Sequence, residues 1–132
     1  MAKKKAAVKK KTSKKKVETT AREFAIEAAR IAIHNNCTDV VALDLTGKSP
    51  ATDYFIIATG TSDRQTRTVA DDITEYGKKH DFRIFGRAGY DQGKWVLLDF
   101  VTVVVHVFNE EFRKYYDLEL LWGDAEKLKI EE

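Results

Sequence analysis

The chain has 132 residues, the length of a single domain, and a formal net charge of +2 that conceals two unlike parts. Residues 1–16 contain nine lysines and no acidic side chain, whereas the remaining residues carry 21 acidic and 14 basic side chains, a net charge of −7. One cysteine and three scattered histidines exclude a disulfide scaffold and a four-ligand zinc site, and no apolar run approaches the roughly 20 residues that span a bilayer.

The N-terminal segment, residues 1–18, consists almost entirely of Lys, Ala, Thr and Ser. We predict that it is disordered, because closely spaced lysines repel one another and nothing in the segment can form a core. The segment has positive charge but no apolar stretch behind it and no amphipathic stripe, so it has the features of neither a secretory signal nor a transit peptide. A cytoplasmic location is therefore expected.

The first helix is predicted to begin after Thr20, because Thr20 and Glu23 have the spacing of a capping box. Apolar residues then recur at helical spacing until the asparagine pair at 35–36, which is a suitable stop because Asn tolerates the left-handed conformation. Two apolar runs, 40–45 and 54–59, follow and predict buried strands.

A second capping box, Ser62 with Gln65, opens the second predicted helix. A short third strand is predicted at Phe82–Phe85, followed by an exposed loop at 86–94 that contains three glycines. The runs 95–100 and 102–108 are too close for a crossover helix, so they predict an antiparallel hairpin. Beyond this hairpin, Asn109 is suited to cap a last helix.

The order of these elements predicts an α/β (α+β) fold with one mixed sheet of about five strands and flanking helices. We divide the chain into a disordered basic tail at 1–18, a folded domain at 19–125 and a charged C-terminal tail at 126–132, which is expected to fray.

Two sequence blocks are distinctive in combination. The first is Asp-Tyr-Phe-Ile-Ile-Ala-Thr-Gly-Thr-Ser-Asp-Arg-Gln at 53–65, and the second is Trp-Val-Leu-Leu-Asp at 95–99 with Val-Val-His-Val-Phe at 104–108. Together with the segments 39–50 and 116–125, they resemble the ribosomal silencing factor family, also called the Iojap family. The resemblance covers most of the chain but not the lysine tail.

The resemblance implies a nucleotidyltransferase-like topology and a protein that is not an enzyme and needs no cofactor. It implies binding to the large ribosomal subunit through the fourteenth large-subunit ribosomal protein. The bound factor would block association with the small subunit and repress translation, especially under nutrient limitation. It would be a monomer on the ribosome, with a homodimer as the alternative when free. An assembly factor for the large subunit is an alternative function, since mitochondrial relatives assist assembly.

The resemblance also implies which residues contact the ribosomal protein, notably Trp95 and the apolar residue after its strand. Tryptophan suits such a contact because it buries a large area with little loss of rotamer freedom. Core packing is the alternative for these aromatic residues and stays open for Tyr115, since the last helix must bury one side. The candidate interface comprises Trp95, Asp99, Phe100, Val101, Tyr115, Tyr116 and Glu119.

The turn at 60–65 follows a strand and opens a helix, so it could hold a phosphate, and an enzymatic function is the alternative that it suggests. Phosphoryl transfer needs paired carboxylates for its metal ions, and the predicted strand Phe82–Phe85 has none. A well-capped turn is therefore favoured. Strand-end carboxylates such as Asp44 are expected to accept hydrogen bonds from turn amides, and His106 is expected to be a core or interface histidine with one hydrogen-bond partner.

The charge distribution suggests two kinds of contact. A domain with a net charge of −7 is suited to a basic ribosomal protein rather than to bare RNA. The lysine tail is either a solubility device or an rRNA anchor, and an RNA-binding module driven by the tail is a further alternative function. The candidate rRNA contacts are Lys9, Lys10, Lys11, Lys14, Lys15 and Lys16.

Overall fold

The computed structural model describes residues 19–115 and 123–130. These residues form three helices and six strands. The helices are Ala21–His34 (α1), Asp63–Lys79 (α2) and Glu110–Tyr115 (α3). The strands are Thr38–Asp44 (β1), Tyr54–Gly60 (β2), Gly86–Ala88 (β3), Trp95–Asp99 (β4), Val103–Asn109 (β5) and Glu126–Lys127 (β6). Within these ranges, no helix combines the length and the apolar character needed to cross a membrane.

Side-chain caps fix where the two long helices begin. Before α1, the Thr20 hydroxyl accepts from the Glu23 amide at 3.1 Å and the Glu23 carboxylate accepts from the Thr20 amide at 3.0 Å, so the predicted capping box is confirmed. Before α2, the Ser62 hydroxyl accepts from the Gln65 amide at 3.1 Å. The Gln65 side chain accepts from Thr61 instead of Ser62, so the second box is only half formed.

The strands form one mixed sheet in the order β3-β4-β5-β2-β1-β6. The central strands β2 and β5 are parallel, and the other pairs of described strands are antiparallel. The predicted hairpin is confirmed, because Trp95 pairs with Phe108 and Asp99 pairs with Val104. The single α/β domain with a mixed sheet and flanking helices is therefore as predicted.

The main core lies between one face of the sheet and the helices α1 and α2. Phe24 of α1 stacks on Phe82 with ring centroids 4.6 Å apart and meets the edge of Phe100 at 4.9 Å. Alternate residues of β5 face this core, because successive side chains of a strand point to opposite faces. These inward residues are Val103, Val105 and Val107.

A second, smaller cluster lies on the opposite face of the sheet. Its buried members are Leu43, Leu45, Ile57 and Phe108. Phe112 packs against this cluster from α3, and Ala125 packs against it from the C-terminal segment. The second face therefore has a smaller buried core than the first, and α3 is the helix that packs on it among the described residues.

Two details of the sheet differ from the sequence prediction. Residues 82–85 are not a strand, because the Phe82 amide closes the end of α2 by donating to Gly77 O at 2.7 Å and its ring enters the core. Strand pairing begins only at Phe85, whose amide donates to Asp99 O at 2.7 Å, and β3 lies in the predicted loop.

The second difference is β6, which adds a sixth strand in the segment expected to fray. Glu126 pairs with Asp44 and Lys127 pairs with Leu43. Leu128 is buried in the main core, and its amide donates to Ala42 O at 2.8 Å. Leu128, together with the partly buried Ile130 that packs against the same core, therefore holds residues 126–128 against β1, and the expectation of fraying is wrong for them.

Candidate protein-binding surface

The strand register brings several of the candidate residues together on the second face of the sheet. Strand β4 contributes Trp95, Leu97 and Asp99, which lie beside Phe108, His106 and Val104 of β5. Strand β2 adds Phe55 and Ile57. We call this surface the α3 face and define it by Phe55, Trp95, Leu97, Asp99, Val104 and His106.

The α3 face is apolar but incompletely buried. Its outer members, Phe55, Trp95, Leu97, Asp99 and Val104, are half-buried, whereas His106 is only 6% exposed. Half-buried aromatic and aliphatic side chains on neighbouring strands form an apolar surface of the kind found at the centre of protein interfaces. The arrangement can therefore bind an apolar partner surface.

Trp95 is held in one orientation by polar and aromatic contacts. Its indole Nε1–H donates to Nδ1 of His106 at 3.0 Å. The indole ring also packs on Phe108, with centroids 4.8 Å apart, and on His106 at 5.9 Å. The polar edge of the indole is therefore turned towards the sheet.

His106 is a neutral imidazole between aromatic rings. Its centroid lies 4.6 Å from that of Phe55 and 6.1 Å from that of Phe108. Burial lowers the pKa of His106 to about 4. Because Nδ1 accepts a hydrogen bond, Nε2 carries the proton, and this buried Nε2–H has no acceptor among the described residues. The predicted core histidine with one hydrogen-bond partner is confirmed.

The end of the β4–β5 hairpin presents Val101 rather than Phe100. Phe100 is 4% exposed and belongs to the main core, so its side chain is not accessible as an interface contact would require. Val101 is 53% exposed with a φ of 73°, and its amide donates to Asp99 Oδ1 at 2.8 Å. Side chains alternate along a strand, which is why Phe100 and Asp99 point to opposite faces.

Phe85 is an exposed aromatic residue that the sequence analysis did not single out. It is 77% exposed and lies beside the hairpin, since its amide donates to Asp99 O. Within the described ranges, Phe85 and Val101 are the large apolar residues that are exposed. The apolar residues 82, 84 and 85 do not fit a simple alternation, which was the available signal that one of them lies outside the core.

The ends of β4 and β5 that flank Trp95 are joined to α2 through Asp63. Its carboxylate accepts from Lys94 Nζ at 3.0 Å and from Asn109 Nδ2 at 3.1 Å. These hydrogen bonds lower the pKa of Asp63 below its usual value, that from Lys94 most strongly. The backbone also passes close to this strand at Gly89, where a Cβ would lie 2.0 Å from the carbonyl oxygen of Trp95. The start of β4 is therefore held on both sides.

The last helix is capped and anchored beside the α3 face. Asn109 Oδ1 accepts from the Phe112 amide at 2.9 Å, which confirms the predicted cap. The Arg113 guanidinium donates to Thr59 Oγ1 at 2.7 Å and to Asp39 O at 3.1 Å. The described part of α3 runs from Glu110 to Tyr115. The other candidate residues, Tyr116, Glu119 and the six tail lysines, lie outside the described residues.

The hydrogen bonds of the turn at 60–65 are those of a helix cap rather than of a phosphate-binding site. The amides of Thr61, Gln65 and Thr66 all donate within the turn, to Gln65, Ser62 and Ser62 respectively. Asp44 likewise accepts from the amide and hydroxyl of Thr46, and these hydrogen bonds lower its pKa. No group of three or more His, Cys, Asp or Glu side chains able to hold a metal ion occurs in the part of the chain that the structure describes.

Comparisons with known proteins find relatives over most of the chain. A family model described as "Ribosomal silencing factor during starvation" matches residues 18–132. The chain is 41% identical to the ribosomal silencing factor RsfS of Bacillus subtilis over 98 residues, which are 74% of this chain and 83% of that protein. It is 30% identical to a mouse protein named mitochondrial assembly of ribosomal large subunit protein 1, over 66% of this chain and 40% of that one.

The fold is also similar to that of a crystal structure from Chromobacterium violaceum. The two chains share 32% sequence identity with a TM-score of 0.75, over 86% of this chain and 93% of that one.

Proposed function

The chain belongs to the ribosomal silencing factor family, and we propose that it silences translation by binding the large ribosomal subunit and blocking its association with the small subunit. It is a ribosomal silencing factor, a regulator of translation and not an enzyme. The observation that carries the proposal is the family match from residue 18 to residue 132. Repression under nutrient limitation and a cytoplasmic location are parts of the same proposal.

We propose the fourteenth large-subunit ribosomal protein as the direct contact and the α3 face as the surface that binds it. The half-buried Trp95 supports this, because tryptophan is enriched among the residues that dominate binding energies. Val101 lies at the rim of the same surface and is exposed. Asp99, Tyr115, Tyr116 and Glu119 complete the proposed contact, while the buried Phe100 supports it only from the core.

The charge of the domain supports a basic protein as the partner. Residues 17–132 carry a net charge of −7, and Glu110 and Glu111 lie in the first turn of α3. Negative charge near an apolar surface speeds association with a basic protein and disfavours bare RNA. We propose that the six tail lysines contact rRNA next to this site.

The proposed mechanism is steric. An interface of about 800 Å² on each partner is enough for specific docking, and occupancy of that site excludes the small subunit without any chemical step. A monomer suffices for this. A second candidate function, assistance in large-subunit assembly, is favoured by the name of the similar mouse protein.

Sedimentation with separated ribosomal subunits tests the proposal. We expect the protein to co-sediment with large subunits and to lower the yield of joined ribosomes as its concentration rises. Equal binding to small subunits, or an unchanged joined fraction at saturation, would contradict it. Binding to immature large-subunit particles in preference to mature ones would favour the assembly function.

A further inference from the structure

We propose that His106 is a positioning residue, which fixes the indole of Trp95 in the orientation that binds the partner. The inference rests on the proposed function and names a residue that would not itself touch the ribosome. His106 is buried below the surface, and its Nδ1 lies 3.0 Å from Nε1 of Trp95.

The acceptor atom is itself held in place. The imidazole lies between Phe55 and Phe108, nearly parallel to the latter with an interplanar angle of 10°. Its backbone pairs with Leu97 on β4 and with Ile57 on β2, so the residue lies in the centre of the sheet. A hydrogen bond from a rigid acceptor to a half-buried indole restricts the rotamer of that indole before binding, which lowers the ordering cost of association.

His106 has a buried polar atom that core packing alone does not explain. Its Nε2–H is buried and has no acceptor among residues 19–115 and 123–130. A buried donor without an acceptor destabilises a fold, and an apolar side chain of similar size would avoid this penalty. Within the described part of the chain, the polar contact that the imidazole makes is with Trp95, so the benefit that offsets the penalty lies at the proposed binding surface.

Three substitutions separate positioning from packing. His106→Asn keeps an acceptor oxygen near the position of Nδ1, His106→Gln moves that oxygen to the position of Nε2, and His106→Leu removes it. We expect affinity for isolated large ribosomal subunits to fall about tenfold for the Leu and Gln variants, which is about 1.4 kcal/mol. The Asn variant should stay within about threefold of the wild type.

Two further measurements distinguish positioning from packing: the unfolding midpoint and the NMR resonance of the Trp95 indole. A residue that acts only through packing would not give the pattern expected here. The unfolding midpoint of His106→Leu should stay close to that of the wild type, because the variant removes the unsatisfied Nε2–H but also removes the acceptor of the Trp95 Nε1–H. In a Trp122→Phe background, the ¹H–¹⁵N resonance of the Trp95 indole should shift and exchange faster in the Leu and Gln variants but not in the Asn variant.

Two results would overturn the inference. Affinity that is unchanged in His106→Leu and His106→Gln would show that the hydrogen bond does not matter for binding. Equal losses in all three variants, in proportion to lost stability, would show that His106 acts only through packing. Trp95→Ala distinguishes this from failure of the proposed surface: if that variant binds as the wild type does, both proposals are wrong, and if it binds weakly, the His106 results alone decide.

Discussion

Trp95 combines a large apolar ring with one polar atom, and the two have different surroundings. The Nε1–H is satisfied inside the sheet by His106, while the ring is only half-buried on the α3 face. A residue with its polar group already paired can bury its ring against a partner without leaving a donor unsatisfied. This local arrangement supports the proposed role of Trp95 in binding the partner.

Trp95→Ala should weaken binding to the large subunit by about 2 kcal/mol or more, because truncation removes the central apolar contact. The fold should survive, since the side chain is only half-buried. Affinity from sedimentation and the unfolding midpoint test the two statements. Tyr90→Ala is a matched control, because Tyr90 donates to Asp71 of α2, away from the α3 face. An unfolded Trp95 variant would instead mean that the residue is part of the core.

The buried imidazole should make stability depend on pH. Burial lowers the pKa of His106 to about 4 in the folded chain, whereas the pKa of a histidine in an unfolded chain is about 6.5. The unfolded chain therefore takes up the proton first as pH falls, so this contribution is complete above about pH 6.5 and is lost as pH falls through about 4. We expect the free energy of unfolding to decrease by about 3 kcal/mol between about pH 7 and pH 4.

Urea denaturation of the wild type and of His106→Asn at several pH values measures this effect. The variant lacks the titrating group but keeps the other acidic and basic residues, so the difference between the two curves isolates His106. A difference that does not vary between about pH 7 and pH 4 would contradict the prediction.

At the scale of elements, the turn of the β4–β5 hairpin is strained. The Thr102 amide donates to Phe100 O at 2.9 Å across Val101, whose φ is 73°. This is a γ-turn with a positive φ at its central residue, a rare conformation that is costly for a β-branched side chain. The Asp99 carboxylate offsets part of the strain by accepting from the Val101 amide.

Val101→Gly should raise the free energy of unfolding by about 1 kcal/mol, because glycine adopts a positive φ without a steric penalty. The greater conformational entropy of glycine in the unfolded chain offsets only part of this stabilisation. Chemical denaturation measures the change. Val101→Ala is the control, since alanine removes the branch but keeps a Cβ in the left-handed region. A Val101→Gly variant less stable than the Ala variant would show that the turn is not strained.

The elements that the sequence predicted well are those whose signals are local. The Thr20 and Asn109 caps, the long helices and the hairpin all follow from spacing within a few residues. The strand β6 depends instead on Leu128 reaching the core 86 residues from its partner Ala42, which no local pattern reveals. The Trp95–His106 bond also could not be predicted, since cross-strand register places the two side chains together only once the hairpin is known.

At the scale of the molecule, the two faces of the sheet are buried to different extents. The helices α1 and α2 cover one face and build the main core with it. On the other face, the described cover is α3 with Ala125, and the aromatic residues there stay half-buried. Stability therefore resides mainly on the first face, which leaves substitutions on the second face free to change binding more than folding.

Because residues 1–16 are basic and the rest of the chain is acidic, the affinity for large ribosomal subunits should depend on salt concentration. Deleting residues 1–16 should leave the domain folded, because that segment offers few apolar side chains to a core. Docking should also remain, because the residues that define the α3 face all lie at or after Phe55. If about three of the nine lysines reach phosphates, the slope of log affinity against log salt should decrease by roughly two units on deletion. Binding of full-length and truncated protein to large subunits at several salt concentrations measures the slopes. Equal slopes would mean that the tail serves solubility and that the acidic domain alone carries recognition.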